Sequence, residues 1–217
     1  MNRYTRPDFT AAALITIDTQ HDVLDGGPLE IPGTSAILPN LLRLLAGFRD
    51  RHRPIVHVVR IYKADGSNVD LCRREAVESG QSILAPGSPG VQLAPGLAPR
   101  AASLDCDRLL GRHAQHLADR EIILYKPRWG AFYETNLEEQ LRGWSITTTV
   151  FAGCNFPNCP RASIVEASER DFRVVVVSDA VSGFDERSRR EVLNIGVSVL
   201  PTVTVIAELA RPQTHSR

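Results

Sequence analysis

The 217-residue sequence repeats a pattern that few folds accommodate: short, near-continuous apolar runs separated by segments of helical periodicity. The runs are 11–18 (AAALITID), 55–62 (IVHVVRIY), 121–126 (EIILYK), 147–154 (TTTVFAGC), 173–180 (RVVVVSDA) and 202–209 (TVTVIAEL). A strand with one buried face alternates apolar and polar residues. A strand that is apolar throughout is covered on both faces, as in a parallel sheet between helical layers. Helical periodicity fills the gaps: 35–51, with Leu38, Leu41, Leu42, Leu45 and Phe48 on one stripe, then 135–144, 160–172 and 186–200. The expectation is an α/β protein, a three-layer α/β/α sandwich. Its mostly parallel six-stranded sheet carries helices on both faces, in one domain over 1–217.

Two stretches break the rhythm. Residues 63–100 are rich in Gly, Pro and Ser, including PGSPG at 86–90. They read as a long surface excursion with one short helix near Leu71 to Glu78. Loops of this length in a compact domain tend to serve a site or cover it. Residues 103–118 read as a further helix.

Composition narrows the function classes. Twenty-five Lys and Arg balance 25 Asp and Glu, which argues against a nucleic-acid partner, because phosphate neutralisation needs a basic surplus. No apolar run reaches the ~18 residues of a membrane span. The opening MNRYTRPDFT lacks the apolar core of an export signal, so the expected location is cytoplasmic. Cys72, Cys106, Cys154 and Cys159 form no CxxC pair and are expected as reduced thiols.

In parallel sheets of this kind ligands bind beyond the carboxyl ends of the strands. Three strand ends there carry chemistry. Asp18 follows Leu14, Ile15 and Ile17, so it is either a partly desolvated acid–base group or a turn residue bonded to backbone. Lys126 follows Ile122, Ile123, Leu124 and Tyr125, so it either snorkels to solvent or meets a carboxylate in the crevice. Cys159 lies in GCNFPNCPR, with Pro160 suited to the first helical position. That places the sulfur at the positive end of a helix dipole, where a thiol is expected to be acidified and free N–H groups can hold an oxyanion. Cys154 ends a strand and reads as a packed thiol. A thiol, a carboxylate and an ammonium converging on one crevice make a plausible activated nucleophile.

With these residues in view, the chain resembles the isochorismatase-like cysteine hydrolases over about residues 11 to 206. LITIDTQ matches the family's strand ending in Asp-x-Gln, and HDVLDGG the segment after it. IILYKPRWGAF matches the strand whose Lys precedes an aromatic-x-Ala-Phe run, and GCNFPNC the loop ending in the nucleophile. The resemblance implies a Rossmann-like sheet, with Asp18 as general acid/base, Lys126 as charge partner and Cys159 as nucleophile. It also implies a cis peptide bond from Cys154 to Asn155 and an oxyanion hole built from the N–H groups of Asn155 and Cys159. Nicotinamidases in the family hold a metal on an Asp-x-His segment after the second strand. The corresponding RIYKADG has no His, so no metal and no other cofactor are expected. Gly130 stands where a Ser is common, and Phe156 and Pro157 replace small polar residues of the loop. The implied reaction is hydrolysis of a C–N amide bond (carboxamide, ureido or cyclic amide) of a small molecule, in a homo-oligomer, dimer or tetramer. The competing readings are a vinyl-ether hydrolase of the isochorismatase type and a non-catalytic binding or scaffold protein on the same fold.

Other residues divide between site and scaffold. Gln20 either orients Asp18 or substrate, or closes a turn. Trp129 and Phe156 either wall a substrate pocket or belong to core or interface. Arg60 and Arg128 sit near strand ends, as anion ligands or as surface ion pairs. His57, in an apolar strand, reads as a hydrogen-bonded core histidine. His113 and His116 read as one turn apart on a solvated helix face.

Overall fold

A computed structural model describes residues 2–211 of the chain. The expected domain, 1–217, therefore extends at both ends beyond the described residues.

Seven strands form one sheet: β1 (Ala12–Ile17), β2 (Ile55–Val59), β3 (Gln115–Ala118), β4 (Glu121–Tyr125), β5 (Thr148–Gly153), β6 (Arg173–Val181) and β7 (Ser198–Leu200). Their order is β3-β4-β2-β1-β5-β6-β7. Every neighbouring pair is parallel except β3 with β4. The strands at the centre are apolar throughout because both faces are covered. Ala12 and Leu14 of β1 face the core beneath α1 (Thr34–Asp50), α3 (Cys106–Leu110) and α7 (Thr202–Ala210). Ala13, Ile15 and Ile17 face the opposite core, beneath α4 (Leu137–Gly143), α5 (Cys159–Ser168) and α6 (Glu186–Asn194). The period of two in the strand thus feeds two cores at once.

The sheet has seven strands rather than six, and the differences have local causes. The run 202–209 is helix α7, although its Val and Thr content favours a strand. Its buried residues Thr202, Val205 and Leu209 follow helical spacing, and Asp179 accepts from both the backbone N–H and the hydroxyl of Thr202. Packing and a capped first turn override β propensity here. The seventh strand, β7, is cut from the end of the segment expected as helix 186–200, which stops at Asn194 before Gly196 at φ +80°. The expected helix 103–118 stops at Leu110, and residues 115–118 return as the antiparallel edge strand β3. His116 therefore lies on a strand and His113 in the connection, not on one helix face.

The excursion 63–100 contains α2 (Leu71–Glu78), where the short helix was expected. Tyr62, Val69, Ile83 and Leu84 form a small apolar cluster of its own, while Val91, Leu93, Ala94 and Leu97 join the α1-side core. Two contacts tie it to the carboxyl end of β1: Ala94 N–H donates to Thr19 O, and Gln20 bridges Leu93. The excursion thus lies across the end of the sheet where ligands bind in this architecture.

Candidate active site

Asp18 and Lys126 each extend the sheet one residue past a strand. Asp18 N–H donates to Val58 O at 2.9 Å, and Lys126 N–H to Val59 O at 3.0 Å. Asp18 then leaves the strand in a left-handed conformation, φ +48°. Asp tolerates that region better than most residues, and such backbone strain clusters at functional sites. β4 and β1 are separated by β2, so their backbones lie roughly 9–10 Å apart. The long Lys126 side chain crosses that gap to place Nζ 2.8 Å from Asp18 Oδ2. Lys126 is 0% and Asp18 6% exposed. The lysine does not snorkel out; a buried ammonium is tolerated because it meets the carboxylate.

Cys159 is brought over this pair by β5. Gly153 passes so close to β1 that a Cβ would stand 2.2 Å from Ile17 O, and its φ of +116° also requires glycine. The approach lets Cys154 N–H bond Ile17 O at 2.9 Å and starts the 154–158 loop above Asp18. Phe156 N–H bonds Ser182 O at 2.8 Å, and Asn158 N–H bonds Asn155 O at 3.1 Å. Asn158 caps α5, so Cys159 is its first residue and Pro160 its second, one step later than expected. The chain contains no cis peptide bond among the described residues, so the Cys154–Asn155 bond is trans, contrary to what the resemblance implies. The loop is instead shaped by the two backbone bonds just named. The N–H groups of Asn155 and Cys159 donate to no other described residue. They remain available for an oxyanion at the start of a helix.

The electrostatics correct one expectation. The thiol of Cys159, 5% exposed, is not acidified by its helix. Burial pushes its pKa up to about 12, aided by the charge of Asp18, and Lys126 offsets this only in part. The resting sulfur is a neutral thiol beside a carboxylate. Asp18 Oδ1 is buried and has no hydrogen-bond partner, while its twin Oδ2 is held by Lys126. Cys154, the other thiol of the loop, is likewise pushed up to about 12 by burial and Asp18.

The remaining expected residues separate. Gln20 is fully buried and spent on backbone: its Nε2 donates to Arg60 O and Val91 O, and its Oε1 accepts from Arg60 N–H. It clamps the excursion to β1 and β2 and has no group left for substrate. Phe156 is buried in the apolar cluster that contains Cys159 and packs edge-on against Phe184. Trp129 is 41% exposed and lines a cavity of about 670 Å³ with Asp70, Cys72, Arg74, Arg128 and Tyr133. Arg60 is neither exposed nor free: its guanidinium meets Asp70 Oδ2 at 2.5 Å and Lys126 O at 3.2 Å. Arg128 is exposed and donates to Asn68 O. Gly130 is explained by Glu166 of α5, whose carboxylate would stand 2.2 Å from a Cβ there. That carboxylate accepts Phe132 N–H, and Ser163 accepts Ala131 N–H, fastening the loop after β4 to α5.

Sequence reasoning missed Tyr62, Asp70 and Arg73, which form a polar cluster next to the pair. Asp70 is the N-cap residue of α2, yet its carboxylate bonds Arg60 and the Tyr62 hydroxyl, not its own helix. Only an N-cap residue type before a helical run hinted at it. The segment 60–66, where the resemblance sets a metal in nicotinamidases, does not fit one: Arg60 is ion-paired, Ile61 is core and Lys63 faces solvent. Among the described residues no three His, Cys, Asp or Glu side chains cluster as metal ligands. No described helix is long and apolar enough to cross a membrane.

Comparison with known proteins agrees with this geometry. A probable inactive nicotinamidase of Arabidopsis thaliana is 30% identical over 173 residues, 78% of this chain and 80% of that protein. Maleamate amidohydrolase of Pseudomonas putida is 30% identical over 174 residues, 78% of this chain and 71% of that protein. The crystal structure of an isochorismatase family protein from Desulfovibrio vulgaris superposes with a TM-score of 0.76 at 31% identity, covering 93% of this chain and 99% of that one. The isochorismatase domain model matches residues 12–206, from the first residue of β1 into α7, and by that span this chain belongs to the isochorismatase family.

Proposed function

We propose that this protein, a hydrolase of carbon–nitrogen bonds other than peptide bonds, cleaves the amide of a small molecule through a thioester on Cys159. The amide carbonyl enters above the sulfur, and Asp18 Oδ1 takes the thiol proton as sulfur attacks. The oxyanion lies against the N–H groups of Asn155 and Cys159, an interaction worth about 3 kcal/mol of barrier for each such donor. Asp18 gives its proton to the departing ammonia or amine, leaving the acyl group on sulfur. Asp18 then draws a proton from water, which releases the acid and restores the thiol. Lys126 compensates charge at each stage. Because the resting thiol is neutral, the thiolate forms only as the carbonyl arrives, within reach of Lys126 and the start of α5.

The observation that carries this reading is the half-used carboxylate: one oxygen of Asp18 held by a buried ammonium, the other buried and unpaired in the electrostatic field of a neutral thiol. The family relatives include maleamate amidohydrolase, ureidoacrylate amidohydrolase and N-carbamoylsarcosine amidase, so these compounds head the substrate panel. Ammonia release across the panel, followed by mass spectrometry of the protein, tests the proposal. A +acyl adduct on Cys159 and loss of turnover in Cys159→Ala are expected. Turnover by Cys159→Ala at the native rate would overturn it. The match to an inactive plant relative favours a non-catalytic protein as the second reading. Binding without turnover by the native chain would establish that one instead. The proposal extends to a homo-oligomer in the cytoplasm, which light scattering and cell fractionation test.

A further inference from the structure

The charges around Asp18 do not balance. Three cations stand in one connected cluster. Lys126 is on Asp18 at 2.8 Å, Arg60 is on Asp70 at 2.5 Å, and Arg73 Nη1 is on the Tyr62 hydroxyl at 2.9 Å. They face two carboxylates, Asp18 and Asp70. The links are continuous, since Tyr62 also donates to Asp70 at 2.8 Å and Arg60 also donates to Lys126 O. Arg73 is the odd member. It makes no ion pair among the described residues, and its side-chain hydrogen bond goes to a neutral phenol. It is nonetheless half-buried. Asp70 and Arg73 are three residues apart at the start of α2, so they share a face of the helix, and Asp70 fixes that face toward Arg60 and the sheet end. Arg73 interacts electrostatically with Asp18 and Cys159 themselves.

A half-buried guanidinium without a counterion is costly unless an anion completes it. Arg60 cannot serve, because Asp70 already holds it. We propose that Arg73 binds a carboxylate of the substrate, so that the enzyme selects amides carrying an anionic group a few bonds from the scissile carbonyl. Tyr62 is the positioning residue that aims Arg73. The inference rests on the cysteine-hydrolase reading and adds the substrate class.

Succinamate and succinamide test it, because they differ in charge at almost constant size. The native enzyme is expected to prefer succinamate in kcat/KM by about 10- to 100-fold, the usual value of a charge-assisted contact. Arg73→Gln is expected to bring that ratio close to one, and Arg73→Lys to keep part of it. The ratio is taken within each variant, so a loss of folded protein cancels. Calorimetric binding of the same two compounds to Cys159→Ala, with and without Arg73→Gln, provides a readout that needs no turnover. Equal handling of the two compounds by the native site, failure of both to bind, or a preference that survives Arg73→Gln would overturn the proposal. Arg73-dependent binding of succinamate without hydrolysis of either compound would uphold it while overturning the cysteine-hydrolase reading. Hydrolysis with the neutral amide preferred would do the reverse.

Discussion

Two buried polar clusters share the strands of this sheet, and they are built on opposite principles. Within the strands, His57 of β2 lies between Thr16 of β1 and Glu121 of β4, at 2.8 and 2.9 Å, and Arg49 of α1 closes on both oxygens of Glu121. Neutral His57, donating from Nε2 and accepting at Nδ1, satisfies every partner. Beyond the strand ends, Asp18 keeps one oxygen unpaired, Arg60 Nε is buried without a partner, and two backbone N–H groups point at nothing. A filled network rigidifies a core, whereas loose polar ends inside a protein cost stability and persist where a ligand or a reaction uses them. The first cluster is scaffold and the second is site, though both are equally hidden from solvent.

The largest expected effect comes from exchanging carboxylate for carboxamide in each cluster. Asp18→Asn is expected to lower kcat by ~10²–10⁴-fold, the range for a positioned acid–base group, while circular dichroism still reports a folded chain. Glu121→Gln is expected to do the opposite, leaving kcat per folded molecule alone and costing about 2–3 kcal/mol in urea unfolding. If Glu121→Gln abolished turnover of folded protein, the division between scaffold and site would fail.

Acid pH separates the clusters next. Burial depresses the pKa of His57, so protons bind the unfolded chain first, and stability falls as pH drops below about 6.5. For Glu121 burial acts upward, but hydrogen bonds from Arg49 and His57 overcome it and hold the group at about 2 against an ordinary 4.5. Its contribution is present above pH 4.5 and is lost as pH falls toward 2. Glu121→Gln should flatten that acid limb in a pH series of melting temperatures, and Asp18→Asn should leave the Glu121 part of it in place.

Alkylation of Cys159 probes the site cluster alone. With the thiol pushed up to about 12, iodoacetamide labelling of the free enzyme should be slow and should still accelerate above pH 9. A plateau near neutrality would mean that the helix start outweighs burial and Asp18. The smallest expected effect is that of Tyr62→Phe, which removes one hydroxyl from Arg73 and Asp70. It should raise KM for a carboxylate-bearing amide by about 3- to 10-fold, as for one hydrogen bond lost, with kcat nearly constant.

How much of this was legible beforehand varies by residue. Asp18, Lys126 and Cys159 announce themselves because each ends an apolar strand or begins a helix, positions a linear pattern can mark. Gln20 shows the limit: its place beside Asp18 is visible in LITIDTQ, but its three hydrogen bonds to Arg60 and Val91 are not. The 202–209 run was misleading because β-branched residues at helical spacing read as a strand until α1 and Asp179 are present.

By itself the sequence determined the alternation of strands and helices, the two covered faces of the sheet and the chemical types at three strand ends. Those follow from side-chain polarity and spacing along one chain, which are local. Tertiary structure alone decided that Lys126 spans β2 to reach Asp18, that the thiol rests protonated, and that Arg73 stands near both without a counterion. These depend on burial and on which distant charges meet, and electrostatic energies change with surroundings far more than with the residue that carries the charge.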